Sequence, residues 1–131
     1  LVVDTKKRNF ENNIFYIIKK HKITLICLAG YMKIISKNFL NKYRKKIINI
    51  HPSLLPKYKG LNTYDRVIRN NEKKTGCTVH FVNEKLDSGK LIVQKSFFIK
   101  KKDKANVLKI KTQRLEKKAF PEAIIKIYRY N

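Results

Sequence analysis

An α/β domain with a mainly parallel sheet is the fold class this 131-residue sequence predicts. Two short apolar runs, 23–28 and 46–50, are continuous rather than alternating, as strands buried on both faces are. Segments of helical period separate them, and strands interleaved with helices mark α/β domains. The unusual polar residues fall where strands end, which is where open α/β sheets bind ligands.

Residues 1–3 (Leu1, Val2, Val3) read as the end of a strand. Across 8–21, Phe10, Ile14, Ile17 and Ile18 recur at helical spacing, and Lys19, Lys20 and His21 occupy the negative end of the helix dipole. The first apolar run ends at Ala29-Gly30. Ser36 is a suitable N-cap for a helix over 36–44 that carries Phe39, Leu40 and Tyr43. The second run stops at Pro52, which cannot donate to a sheet. A helix over 63–71, strands over 76–82 and 90–99, and a helical stretch over 104–127 complete the reading. No linker, low-complexity tract or internal repeat divides the chain, so residues 1–131 are expected to form a single domain.

The formal charge is +23, which taken alone points to nucleic acid or an anionic membrane. The composition argues for a plainer origin. Of the 32 basic residues 26 are Lys, whereas specific nucleic-acid readers lean on Arg. Lys, Ile and Asn have A/T-rich codons and together supply 55 residues, and the lysines are scattered. A solvated lysine-rich surface is expected, with no specific nucleic acid as partner. No run approaches the ~20 apolar residues of a membrane span, and no secretory pattern is present. A cytoplasmic protein with no membrane partner is the expectation. Cys27 and Cys77 lie in apolar runs with no C-x-x-C spacing; both are expected to be buried free thiols, with no metal site.

Asn49 and His51 stand two apart in an extended segment, so both side chains point to one face of the sheet. Asp87 lies in the loop after the next strand; loops that follow adjacent parallel strands meet at one edge, so Asp87 is expected to face His51. Such a trio suits attack of an amine on a formyl carbonyl. A protonated His and an amide N–H stabilise the developing oxyanion. A neighbouring carboxylate favours the imidazolium, raising its pKa and orienting the ring. The ring also helps carry a proton from the attacking amine to the leaving nitrogen. On spacing alone the pair recurs by chance, and a lone His at a strand end is more often structural. Ser53 lacks the G-x-S-x-G elbow of a hydrolase nucleophile.

The longer string Asn49-Ile50-His51-Pro52-Ser53-Leu54-Leu55-Pro56-Lys57-Tyr58-Lys59-Gly60 goes further. With Thr75 to Val82, Leu86-Asp87-Ser88-Gly89 and Leu28-Ala29-Gly30-Tyr31-Met32, it resembles the glycinamide ribonucleotide formyltransferase family from about residue 7 to about residue 121. The resemblance implies a Rossmann-like formyltransferase fold. It also implies transfer of a formyl group from 10-formyltetrahydrofolate, as co-substrate, to the amine of 5-phosphoribosylglycinamide in purine (IMP) biosynthesis, by a monomer or homodimer. It casts Asn49, His51 and Asp87 as the catalytic trio. Met32, Lys33, Ile34, Ile35, Lys7 and Val82, with Asn49, are implied to hold the folate, Val82 at the start of the loop to Asp87 that forms the pocket's other wall. Gln113 and Glu116 are implied to touch the glycinamide substrate. Pro121 fits a helix-interrupting proline, and Tyr64 stands where many members carry His.

The chain is expected to correspond to the C-terminal two-thirds of the family fold, without the opening strand and the Gly-Ser-Asn-type loop that cradles a phosphate. Alone it is expected to fold weakly and to have little activity. Within the superfamily, formyltetrahydrofolate hydrolase typically places His after the catalytic His, and methionyl-tRNA formyltransferase Gly; this chain has Pro52. A basic RNA-binding module is the alternative outside enzymes; neither an aromatic RNP-like strand nor an Arg cluster supports it.

Overall fold

The computed structural model describes residues 10–31 and 33–129. The order is α1 (Phe10–Lys20), β1 (Leu25–Ala29), α2 (Lys37–Lys42), β2 (Lys46–His51), α3 (Thr63–Arg69), β3 (Lys74–Phe81), β4 (Leu91–Phe98) and α4 (Ala105–Arg129). The strand reading at 1–3 lies outside the described residues.

The predicted α/β class holds, with one difference in the sheet. The four strands lie in the order β1-β2-β3-β4. Only β1 and β2 are parallel; β3 runs antiparallel to both β2 and β4. The described sheet is therefore mixed. For β3 and β4 the cause is local: they are joined by a loop of nine residues, 82–90, too short for a helical crossover, so the chain returns antiparallel.

Each face of the sheet buries one cluster. On one, α4 lays Ala119, Ala123 and Ile127 over Ile48, Ile50, Cys77, Val79 and Val93. Small residues on the helix let it approach the sheet closely. On the other, Phe39 of α2 and its flanking Ile35 and Tyr43 cover Ile47, α1 adds Ile14, Phe15 and Ile18, and the rings of Phe15 and Phe39 pack at 4.6 Å. The predicted cap is present: Ser36 Oγ accepts from the Phe39 N–H. Glu11 of α1 in turn accepts from Ser36 Oγ at 2.6 Å and from the Ser36 N–H at 3.1 Å, which ties the two helices together.

Two expectations are corrected. Cys77 is fully buried, but Cys27 is exposed; among the described residues no strand pairs with β1 on the side away from β2. Pro121 does not interrupt its helix; α4 runs through it. A proline there removes one backbone bond and costs ~3 kcal/mol. Burial of Ala119 and Ala123 and a 2.6 Å ion pair between Lys95 and Glu122 secure the same turns against the sheet.

Two glycines permit close backbone approach. A Cβ on Gly76 would lie 1.9 Å from the Lys95 carbonyl oxygen, and one on Gly89 would lie 1.6 Å from that of Phe81. The second contact closes the neck of the 82–90 loop, which returns residue 87 to the sheet.

Candidate active site

The site is built on the face of β2 opposite α4. Asn49 and His51 alternate there with Ile48 and Ile50, as a strand requires. On β3, His80 stands directly opposite Asn49 and Thr78 opposite His51. All four are buried, as is Asp87.

Thr78 and Gln94 of β4 hold the turn that leaves β2. Thr78 Oγ1 donates to the Ser53 carbonyl at 2.7 Å and accepts from the Leu55 N–H at 3.1 Å and Gln94 Nε2 at 2.9 Å. Gln94 Nε2 also donates to the Leu55 carbonyl. Ser53 Oγ donates to the Lys57 carbonyl at 2.6 Å, so this hydroxyl shapes the turn.

His51 is held from both sides. Its Nδ1 lies 3.3 Å from Asp87 Oδ2, and its Nε2 lies 2.8 Å from the Tyr58 carbonyl. Both neighbours are acceptors; a neutral ring can donate to only one of them, whereas an imidazolium serves both. Both neighbours also come from strained backbone: Tyr58 has φ 57° and Asp87 φ 46°, in the left-handed region non-glycine residues seldom enter. The surroundings secure these conformations. Tyr58 Oη donates to Glu72 at 2.8 Å and accepts from Asn70 at 2.9 Å, and Asp87 Oδ2 accepts from the Gly60 N–H at 2.9 Å.

His80 is the residue that sequence reasoning passed over. Its Nδ1 lies 2.8 Å from the Phe81 carbonyl, and its Nε2 lies 3.5 Å from Asn49 Nδ2 and 3.7 Å from Asp87 Oδ1. Burial lowers its pKa below the usual histidine value, against the opposing pull of the Phe81 carbonyl and Asp87. Its signal was present: Thr78-x-His80 repeats on β3 the two-residue polar spacing of Asn49-x-His51 on β2.

Two hollows flank Asn49. The first, about 30 Å³, is lined by Leu28, Lys33, Ile34, Ile35, Val82 and Asp87 among others. Its rim includes Ile34 and Leu86, 63% and 43% exposed. The second, about 170 Å³, brings Asn49 and His51 together with Tyr64, Gln113 and Glu116. Gln113 and Glu116 are three apart on α4 and so share a face. Burial pushes the Glu116 carboxyl up. Burial, then the Glu116 charge, pushes both the Tyr64 phenol and the Cys77 thiol up to about 12. Asn49 and Tyr31 line both hollows.

The structure thus brings Asn49, His51 and Asp87 together, and also gathers Lys33, Ile34, Ile35 and Val82 at one hollow and Gln113 and Glu116 at the other. Asp87 reaches His51 by a different path from the one expected. β3 ends at the opposite end of the sheet from His51, and the 82–90 loop folds back to deliver the carboxylate. Lys7 and Met32 lie outside the described residues. Among the described residues no helix is long and apolar enough to cross a membrane.

The sequence matches the formyl transferase family over residues 4–124. It is 40% identical over 124 residues to phosphoribosylglycinamide formyltransferase of Haemophilus influenzae, covering 90% of this chain and 58% of that protein. It is 39% identical over 127 residues to the trifunctional purine biosynthetic protein adenosine-3 of Gallus gallus, covering 94% of this chain and 13% of that one. Among solved structures, phosphoribosylglycinamide formyltransferase from Anaplasma phagocytophilum superposes with a TM-score of 0.86 at 35% identity, over 95% of this chain and 60% of that one. The chain therefore spans less than two thirds of the length of these relatives.

Proposed function

From the premise that this chain belongs to the formyl transferase family, we propose that it transfers a formyl group from 10-formyltetrahydrofolate to the amine of 5-phosphoribosylglycinamide, a step of purine biosynthesis. The observation that carries the reading is Asn49: it forms part of the wall of both hollows, with His51 and Asp87 beside it.

The first hollow takes the formyl donor. Leu28, Ile34, Ile35 and Val82 offer apolar surface to a flat heterocycle, and Asn49, Asp87 and Lys33 offer polar groups to its edge. Entry requires the exposed rim at Ile34 and Leu86 to part. The second hollow takes the amine substrate, whose sugar hydroxyls find hydrogen-bonding groups at Gln113 and Glu116.

The amine then reaches the formyl carbon at Asn49. As the new C–N bond forms, the carbonyl π pair moves onto oxygen and creates a tetrahedral anion. His51, protonated and held by Asp87, and an Asn49 N–H stabilise that charge. The ring helps carry a proton from the attacking nitrogen to the departing nitrogen, whose bond to the formyl carbon breaks. Substrate amine and folate nitrogen thus exchange one formyl group for one proton.

The test is a turnover assay of the protein as the cell makes it, with both substrates. Formylated product that disappears in His51→Ala, with the melting transition kept, supports the reading. Formate release at an undiminished rate without the amine contradicts it and indicates a hydrolase.

A further inference from the structure

Asn49 is 8% exposed, yet its Oδ1 has no hydrogen-bond partner among the described residues. An unsatisfied buried acceptor costs ~1–3 kcal/mol and calls for an explanation. The explanation begins at Phe81. Its carbonyl, 2.8 Å from His80 Nδ1, can only accept, so that nitrogen carries the hydrogen. Burial favours the neutral ring, in which Nε2 keeps a lone pair. Two groups face that lone pair, Asn49 at 3.5 Å and Asp87 Oδ1 at 3.7 Å; the carboxylate has no hydrogen to give, so the nearer Asn49 turns Nδ2 toward His80 and Oδ1 away.

Resting on the formyl-transfer reading, we propose that His80 is a positioning residue that fixes the Asn49 amide. One Nδ2 hydrogen is committed to His80. The other hydrogen and Oδ1 form a free edge that meets the H–N–C–O unit of the tetrahedral species. Oδ1 accepts from the attacking amine while Nδ2 donates to the oxyanion. The amine N–H grows more acidic as its nitrogen bonds to carbon, and the carbonyl oxygen grows more basic. Both bonds therefore strengthen toward the transition state and contribute to rate rather than to substrate binding. Asn49, lining both hollows, stands where the two reactants meet.

Nitrogen NMR of the imidazole-labelled chain at neutral pH tests the first half directly. The expected spectrum has His80 protonated at Nδ1 and bare at Nε2. A ring protonated at Nε2, whether alone or with Nδ1, overturns the proposal, because Asn49 would then present its oxygen to His80. The second half is read in His80→Phe. Loss of the acceptor frees the amide, and kcat should fall roughly tenfold to hundredfold with both KM values within about twofold and the melting temperature little changed. An unchanged kcat, or a loss matched by the unfolded fraction, overturns it. If the protein as the cell makes it shows no formyl transfer at all, the formyl-transfer reading fails and takes this proposal with it. If it turns over with the wrong tautomer, this proposal fails alone.

Discussion

Asp87 Oδ2 lies 3.3 Å from Nδ1 of His51, although the chain reaches the two residues along strands that run in opposite directions. The carboxylate arrives through a loop that turns back at a left-handed Asp87 and is fastened by the Gly60 N–H. Replacing Asp87 by Asn keeps the shape and removes the charge. Formyl transfer should fall by about 10²–10⁴, while thermal unfolding changes by no more than a few degrees. Activity within twofold of the parent would remove Asp87 from the reaction.

Thr78 carries the turn that follows His51. Thr78→Val has nearly the same shape and leaves the Ser53 carbonyl and the Leu55 N–H without their partner. The expected cost is about 2–6 kcal/mol, from two buried groups at ~1–3 kcal/mol each. Chemical denaturation measures it; a change below half a kcal/mol would mean that water replaces the hydroxyl.

His80 predicts an acid-side loss of stability. Its folded pKa lies below the ordinary 6.5, so in the interval below 6.5 the unfolded chain binds the proton first. Stability present above pH 6.5 should therefore fall as pH drops below it. The carboxylates with lowered pKa values, Glu72, Asp103 and Glu122, act only at lower pH, below their ordinary 3.8–4.5, whereas Glu116, raised by burial, acts above 4.5 with the opposite sign. Unfolding curves between pH 7 and 5 should show a slope that His80→Phe flattens; an unaltered slope would locate the titration elsewhere.

Tyr64 predicts the opposite limb. Its phenol is held protonated up to about 12 by burial and by Glu116. Between the ordinary value of 10 and about 12 the folded chain holds a proton that the unfolded chain has lost, so stability should decline as pH rises through that interval. In Tyr64→Phe this part of the decline should vanish. Because Tyr64 lines the second hollow, the same variant should raise KM for the amine substrate more than KM for the folate, which steady-state kinetics will show.

Much of this was legible in the chain. Apolar runs and helical periods located every described element, because burial imposes those patterns on short segments. Asn49 and His51 were legible as a pair because two-residue spacing in a strand fixes a common face. What was not legible depended on pairing between distant strands. Nothing within 76–82 states that β3 runs antiparallel to β2, so His80 could not be set opposite Asn49. Nor does a cysteine in an apolar run reveal whether neighbouring elements cover it, which is why Cys27 was expected inside. The resemblance cast Pro121 as a helix interruption, whereas α4 runs through it against the sheet.

The two glycines at close backbone contacts set a limit on how far this sequence can drift. Lysine, isoleucine and asparagine, whose codons are A/T-rich, are abundant along the chain. Most surface positions can absorb exchanges to these residues. Gly76 and Gly89 cannot, since any replacement would have to place its first side-chain carbon within 2 Å of a carbonyl oxygen. At Gly89 the injury would not stay local, because the pinched neck of the loop sets how far the carboxylate travels back toward the imidazole. A codon bias that is free to recolour the exterior is thus stopped, at two interior points, by the radius of an oxygen atom.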